Sequence, residues 1–379
     1  MADHFSSDQW KQINKTLDED PERYGFPQRR EGSVLLGSFN IRKLGDPTNR
    51  TNDDWAFLAR ICAQFDLLAV QEIMSNLDGL RHLREKLKAS VDGRDEGFAA
   101  VVSDETGAFA GDRGLRERLG FLYRWPIVER MEIASDLTYD RTKTLQTLVD
   151  NAEALTEALD ECNGNAKNFD PEFFVTFTRQ PHGVEFRIPG ADPYEFMAVN
   201  AHLIFGTRID HRRQEFTALL ELLKSRLVDN DKINLILMGD LNLDFNDPEN
   251  DRPRIDKEIK DRNGALADAG SHINFPFLDA HKNHDGVFRT NARRSQTYDH
   301  IGLFAHDPRL PTYGKNEQMP ETPEGPDYGV FDFMTLFSEA LYEKPWTDLT
   351  NAERKTLWKN AEHSVSDHMP LWLRLPHTA

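Results

Sequence analysis

The sequence predicts an α/β fold of two sheets with quasi-repeated halves, and three observations predict it. An apolar run, Val34-Leu35-Leu36-Gly37-Ser38-Phe39, ends at Asn40. An amphipathic stretch follows with Trp55, Leu58, Ala59 and Cys62 at helical spacing, and a second run, Leu67-Leu68-Ala69-Val70, ends at Gln71-Glu72. The same order recurs later: Phe196-Met197-Ala198-Val199 ends at Asn200-Ala201-His202, Phe216, Leu219, Leu220, Leu223 and Leu227 mark one helical face, and Leu235-Ile236-Leu237-Met238 ends at Gly239-Asp240-Leu241-Asn242. The third observation is that these runs are apolar at every position rather than at alternate ones. Strands of that kind are covered on both faces.

The remaining elements follow in order. Residues 8–18 read as a short polar helix outside the main fold, so residues 1–32 form an N-terminal helical extension and residues 33–375 a single domain. Further strands are expected at 98–103, 119–125, 128–137, 173–178, 184–188, 297–304 and 369–373. Helical insertions are expected at 142–162 and 350–361, within insertions near 141–165 and 305–362. Thr350 with Glu353 three residues on forms a capping box at the start of the second. Residues 307–327 hold Pro308, Pro311, Pro320, Pro323 and Pro326 and read as an irregular surface excursion. No low-complexity tract or interdomain linker is evident.

Composition narrows the class. With 379 residues, of which 39% are hydrophobic and 29% charged, the chain has the makings of a folded globular protein. Two cysteines, Cys62 and Cys162, exclude a disulfide framework and a cysteine-rich metal site, and free thiols in a reducing compartment are the simpler reading. No apolar stretch approaches the ~18 residues of a membrane span, and the first thirty residues lack the apolar core of a secretory signal, so a soluble, intracellular protein is expected. The net charge of −18 argues against broad electrostatic capture of nucleic acid. It leaves room for a nucleic-acid enzyme, because a bound cation supplies positive charge where the phosphate lies.

The chemistry gathers at strand ends: Asn40, Gln71-Glu72, Asn200 with His202, Asp240 with Asn242, Tyr298-Asp299-His300, and Ser366-Asp367-His368. One such residue is most often a turn or cap former. Six strand ends of this kind would repel one another unless a cation or a phosphate ligand organised them. Carboxylate and amide oxygens select Mg²⁺, Mn²⁺ or Ca²⁺ over zinc, and histidines beside such an ion suit general acid–base work. The expected reaction is metal-assisted hydrolysis of a phosphate ester. Asp240, Asn242 and Asp244 alternate like the start of a calcium-binding EF-hand loop, but Phe245 stands where glycine is required and Asp251 where glutamate is expected.

The ordered set Ser38-Phe39-Asn40-Ile41-Arg42, Val70-Gln71-Glu72, Asn200-Ala201-His202, Gly239-Asp240-Leu241-Asn242, Tyr298-Asp299-His300-Ile301 and Ser366-Asp367-His368 resembles the endonuclease/exonuclease/phosphatase superfamily, whose fold is that of deoxyribonuclease I. The resemblance implies a four-layer α/β/β/α sandwich of two packed mixed sheets with outer helices. It implies Glu72 as principal metal ligand with Asn40 and Asp367, and His202 and His368 flanking the scissile phosphate. Asp299 would orient His368, Asp240 would activate or position the attacking water, and Asn242 would hold a phosphate oxygen.

Two further matches are similar to pancreatic-type deoxyribonucleases. The segment 113–121 suggests Glu117 as the partner of His202, and 177–181 suggests Arg179 as a phosphate contact, with Arg113 second. The implied function is a Mg²⁺-dependent nuclease acting on DNA, with a phosphodiesterase or phosphatase of a lipid headgroup or small phosphoester as the rival. A scaffold that kept the fold without the chemistry is a third reading. Glu72 precedes Ile73-Met74, unlike the Thr-Lys of apurinic-site endonucleases, and Asp299 precedes His300, unlike the Arg of inositol-polyphosphate phosphatases. Between Asp299 and Asp367 lies an insertion with Tyr328, Phe331, Phe333 and Phe337, expected as a lid, a partner surface or packing.

Overall fold

The computed structural model describes residues 4–89, 97–106, 116–125, 127–137, 141–164, 177–205, 209–229, 234–281, 284, 286–305, 307, 309–310 and 327–376. Among these, the strands are β1 (Ser33–Leu44), β2 (Leu67–Met74), β3 (Phe98–Val102), β4 (Glu117–Arg124), β5 (Glu129–Asp136), β6 (His182–Ile188), β7 (Tyr194–His202), β8 (Asn234–Asp240), β9 (His272–Asn274), β10 (Asp299–Ala305), β11 (Asp327–Val330) and β12 (Leu371–Pro376). The helices are α1 (Ser7–Glu19), α2 (Asn52–Cys62), α3 (Asp78–Ala89), α4 (Arg141–Asp150), α5 (Ala152–Glu161), α6 (Ile209–Asp229), α7 (Asp251–Leu266), α8 (Phe333–Tyr342) and α9 (Asn351–Ser364).

The strands form two six-stranded sheets, ordered β11-β12-β1-β2-β4-β3 and β5-β6-β7-β8-β10-β9. Each contains one parallel pair joined through a helix, β1 to β2 through α2 and β7 to β8 through α6, and the other pairings are antiparallel. This is the repeated unit read from the sequence. The sheets face each other, and alternation along β7 and β8 shows how. Phe196, Ala198, Ile236 and Met238 join the core shared with the first sheet, whereas Met197, Val199, Leu235 and Leu237 pack under α6 and α7 with Phe216, Leu219, Leu220, Leu223, Ile255 and Ile259. Helix α2 covers the first sheet with Trp55, Phe57, Leu58 and Ile61, so the layers run helix, sheet, sheet, helix.

Several expectations change in detail. The N-terminal helix does not stand outside the fold: Trp10, Ile13 and Leu17 are buried in the shared core, and the Trp10 ring lies 4.6 Å from Phe57 and 5.9 Å from Phe337. Its polar residues form only the outward face. The 142–162 helix is two helices, divided at Asn151. Of the strand expected at 173–178, only residues 177–178 are described, and they are not in a strand. Tyr328, Phe331, Phe333 and Phe337 are all buried, so the insertion's aromatics serve packing, the blandest of its three readings. The capping box is present, with Thr350 N donating to Glu353 at 2.7 Å and Glu353 N to Thr350 Oγ1 at 3.3 Å. Cys62 and Cys162 are free and buried. No helix among the described residues is long and apolar enough to cross a membrane.

Candidate active site

Strand direction explains why distant residues meet. Parallel β1, β2, β7 and β8 bring Asn40, Glu72, His202 and Asp240 to their C-terminal ends. Antiparallel β4 and β10 begin at that same edge with Glu117 and Asp299, and β12 begins just after His368. In register, Asp240 pairs with His202 on one side and Asp299 on the other.

The backbone departs from regularity where a side chain must be aimed. Register shifts in the β1–β2 ladder between Asn40 and Leu44, and in the β2–β4 ladder between Val70 and Ile73, leave Gln71 and Glu72 on a bulge. Glu72 has φ of 58°, a left-handed conformation that a non-glycine residue holds only when its surroundings fix it. Here its Oε2 accepts the Lys43 N–H at 3.0 Å. Asn242 has φ of 52° and closes a turn by donating its N–H to Asp240 Oδ1 at 2.9 Å. Gly239, ahead of Asp240, passes so close to the Ala201 carbonyl that a Cβ would overlap it. A polar floor lies below: Gln71 donates to Asn200 Oδ1 at 2.7 Å, and Asn200 donates across the sheets to the carbonyls of Val70 and Gly120 at 3.0 and 2.8 Å.

Two imidazole–carboxylate pairs converge on one oxygen. His202 Nδ1 lies 3.0 Å from Glu117 Oε1, and His368 Nδ1 lies 2.8 Å from Asp299 Oδ2. The Nε2 atom of each ring is 3.6 Å from Asp240 Oδ2. Burial disfavours the charged form of both rings, and Arg179 adds to this at His202. Glu117 and Asp240 nevertheless raise His202 above its ordinary value. At His368, Asp299 and Asp240 overcome burial without such opposition, and the ring is raised well above the ordinary value. Burial pushes Asp299 up to about 6, with His368 pulling down and Asp240 pushing up. Burial also opposes ionisation of Glu117, but His202 and Arg179 outweigh it and hold that carboxyl below its usual range.

Glu72, Asn40 and Asp240 form the acidic side of the site. The Asn40 amide donates to Glu72 Oε1 at 3.3 Å and to Asp240 Oδ2 at 3.2 Å. Asn40 Oδ1 is buried with no hydrogen-bond partner among the described residues, and so is Asp367 Oδ1. Orphaned buried oxygens beside a carboxylate are what a hard cation satisfies, so this donor set fits a Mg²⁺-like ion. Two groups, Glu72–Glu117–His202 and Asp240–Asp299–His368, bring their potential ligand atoms within 4.8 Å of one another.

The structure assigns different positions to two of the expected phosphate contacts. Arg179 is only 3% exposed; it forms an ion pair with Glu117 and donates to the carbonyls of Leu203 at 3.1 Å and His202 at 3.4 Å. It therefore lies behind His202, because a buried guanidinium needs the partners found there. The Asn242 amide is likewise turned inward, donating to the Leu203 carbonyl at 2.8 Å rather than outward to a phosphate. Arg113 lies outside the described residues. His300 faces away from the site, stacked on Phe245 with ring centroids 3.7 Å apart and with Nε2 3.0 Å from the Thr297 carbonyl.

Two residues near the site were not singled out from the sequence. Glu215 on α6 is buried and accepts the Thr178 N–H at 2.9 Å and the Ile204 N–H at 2.5 Å, tying together the segments that carry Arg179 and His202. Burial pushes its carboxyl up to about 7 against those two hydrogen bonds. Its signal was present: Glu215 stands four positions before Leu219, a charged residue on an apolar stripe. Arg50 is buried, donates to the carbonyls of Arg42 at 2.6 Å and Val365 at 3.1 Å, and is lowered by burial to about 10. It ties the loop after β1 to the segment before Asp367.

Comparison with known proteins follows the same lines. The profile of the Endonuclease/Exonuclease/phosphatase family matches residues 37–368. A deoxyribonuclease of Thioalkalivibrio sp. (strain K90mix) is 29% identical over 194 residues, which cover 51% of this chain and 41% of that protein. Thus the match spans less than half of the relative's length. Similar solved structures include an endonuclease/exonuclease/phosphatase family protein from Leptotrichia buccalis, with TM-score 0.49, 13% identity and coverage of 90% of this chain and 99% of that one. Another, from Bacteroides thetaiotaomicron, has TM-score 0.48, 15% identity and coverage of 90% and 97%.

Proposed function

Because this chain belongs to the Endonuclease/Exonuclease/phosphatase family, we propose that it is a Mg²⁺-dependent phosphodiesterase that cleaves DNA by in-line attack of water. The observation that carries the reading is the pair of acid-held imidazoles meeting at Asp240 Oδ2, each at 3.6 Å. The likeness to a protein named deoxyribonuclease favours DNA over small phosphoesters.

In this reading Glu72 and Asn40 would hold the cation, with Asp367 as a further ligand candidate. When bound, the ion neutralises charge on the phosphoryl oxygens. Asp240 orients the attacking water and Asn242 fixes Asp240 through its backbone N–H. His202 Nε2 takes the proton as the water oxygen bonds to phosphorus. His368, kept protonated by Asp299 and Asp240, hydrogen-bonds the pentacovalent centre through Nε2 and gives its proton to the departing oxygen as the old P–O bond breaks. Glu117 fixes the His202 tautomer, Arg179 fixes Glu117, and Glu215 braces the segments carrying both Arg179 and His202.

The test is an activity panel on the purified protein with Mg²⁺ and with EDTA. It contains supercoiled plasmid, single strands, RNA, inositol phosphates and sphingomyelin. Metal-dependent nicking of plasmid is the expected result. Turnover of a small phosphoester with DNA left intact would overturn the DNA reading, and cleavage that survives EDTA would overturn the metal dependence.

A further inference from the structure

Two of the groups expected at the phosphate turn inward, Arg179 to Glu117 and the Asn242 amide to Leu203. A different cation stands at the site. Arg212 lies in the first turn of α6, half-buried, with Nη1 donating to the Asn242 carbonyl at 2.8 Å. Asn242 in turn donates its N–H to Asp240 Oδ1 at 2.9 Å, so one residue separates the guanidinium from the carboxylate on which both imidazoles converge.

Arg212 is not committed to an acid. Among the described residues it has no ion-pair partner, and its Nε is buried without a hydrogen-bond acceptor. The nearby acids outside the site are engaged elsewhere. Asp251 pairs with Arg213 at 2.8 Å, and Asp244 accepts the N–H groups of Asn246 at 3.2 Å and Thr297 at 3.1 Å and faces Arg289 at 3.7 Å. A guanidinium is rich in N–H donors, and one carbonyl leaves most of them for water or an anion. Burial raises the Tyr298 hydroxyl above its ordinary value and Arg212 is the first influence against it, which sets the guanidinium towards the residue just before Asp299.

The neighbouring segment offers a ring. Glu215, three residues beyond Arg212 and so on the same side of α6, accepts the Ile204 N–H at 2.5 Å, which lays the chain leaving β7 alongside Arg212. The next residue is Phe205, three positions after His202, 69% exposed and without a ring contact among the described residues. A single exposed aromatic needs no explanation by itself. Beside an uncommitted guanidinium at the edge of the candidate site, it completes what a nucleotide meets: a cation for the phosphate and a flat face for the base. A small phosphoester would engage the first and leave the second idle.

We propose that Arg212 and Phe205 form a subsite for the nucleotide next to the scissile bond, with the phosphate adjoining the scissile one at Arg212 and the base against Phe205. The inference rests on the nuclease reading and deepens it. Such a subsite sets the register of the strand on the imidazole pair without reading its sequence, since every nucleotide carries a phosphate and a ring face.

The experiment measures fluorescence anisotropy of a labelled oligothymidylate in Mg²⁺ on the full chain carrying His368→Ala, where the strand is held but not cut. Arg212→Met in that background should weaken binding about tenfold. It should also lower the slope of log affinity against log salt concentration by about 0.7, the share of one phosphate contact on a single strand. Phe205→Ala should weaken binding about fivefold with the slope unchanged, and Phe205→Trp should keep the affinity of the parent. An abasic strand of the same length should lose nothing to Phe205→Ala. A merely structural role for Arg212 would not move the slope. Thermal melting checks the fold, and Phe205→Ala, at an exposed position, stays informative if Arg212→Met fails to fold. An unchanged slope in folded Arg212→Met overturns the proposal, as does unchanged affinity in Phe205→Ala, or an abasic strand that loses as much as the thymidylate. The expected losses in a protein that nicks no DNA with His368 restored would sink the nuclease reading alone, whereas nicking by that protein with both variants binding normally would sink only this inference.

Discussion

The His202 side of the site and the His368 side share one design and differ by one guanidinium. Each has an imidazole held at Nδ1 by a buried carboxylate, and each presents Nε2 to the same oxygen of Asp240. On the His202 side the carboxylate is shared, because Glu117 also faces Arg179. On the His368 side, no guanidinium pairs with Asp299 among the described residues, and the Thr290 hydroxyl accepts the Asp299 backbone N–H. The positive charge of Arg179 opposes a proton on His202, so that ring rises less steeply than His368. The lesson is that two similar dyads are made unequal by a third party: the His202 ring is held less firmly in its protonated form than the His368 ring.

The comparison can be broken outright by removing either ring. His202→Ala and His368→Ala should each lower the plasmid-nicking rate by about three orders of magnitude or more. The double variant should be little worse than either, because groups acting as a unit are not additive. Near-normal nicking by either folded single variant ends the scheme.

The next largest effect separates the two carboxylates. Asp299→Asn should slow turnover by about a hundredfold or more, since an amide no longer fixes the tautomer or favours the charged ring. Glu117→Gln should slow turnover too, but should also destabilise the fold by about 3 kcal/mol, because Arg179 is left buried without its acid. Denaturant titration of both variants checks this. Equal stability would mean that Arg179 does not depend on Glu117.

Smaller changes should adjust only one side. Glu215→Gln should reduce turnover roughly tenfold, since its amide nitrogen cannot accept the N–H of either Thr178 or Ile204. A loss in KM alone would instead make it a substrate-binding group. In the pH–rate profile, activity should rise as His202 loses its proton and fall as His368 loses its own, giving a bell whose acid limb lies above the ordinary histidine range. Arg179→Met removes the opposing charge, raises the His202 value further and should move that acid limb to higher pH.

His300 provides the control, an imidazole one residue from Asp299 with no carboxylate partner among the described residues. Burial drives it down to about 3. A histidine depressed in the folded state contributes stability that is fully present above its unfolded value of about 6.5 and is lost as pH falls towards 3. His368, raised in the folded state, contributes stability that is present below 6.5 and lost as pH rises through its folded value. Thermal melting across pH should therefore show His300→Phe flattening the acid decline. An unchanged decline would place the acid sensitivity elsewhere.

Much of this was legible because it depends on local pattern. Apolar runs ending at Asn40, Glu72, His202 and Asp240 announced the strand–helix–strand units and the strand ends that carry the chemistry, whereas Glu117 was reached as the partner of His202 only through the family resemblance of its segment. What escaped depends on direction and depth. Nothing in the sequence around Arg179 says that its guanidinium turns inward to Glu117 and two carbonyls, and nothing around Asn242 says that its amide is taken by Leu203. The first helix looked polar because its three buried residues, Trp10, Ile13 and Leu17, are few, yet they fall on one face and a tryptophan buries a large area. Glu215 was passed over because a single charge on an apolar stripe is easily taken for a flaw in the pattern.

The Asn40 amide, donating at once to Glu72 and Asp240, acts as a small neutral stand-in for positive charge between two acids. Turning that amide end for end would present its orphaned oxygen in place of its nitrogen, changing a clasp into a ligand with no movement of the backbone.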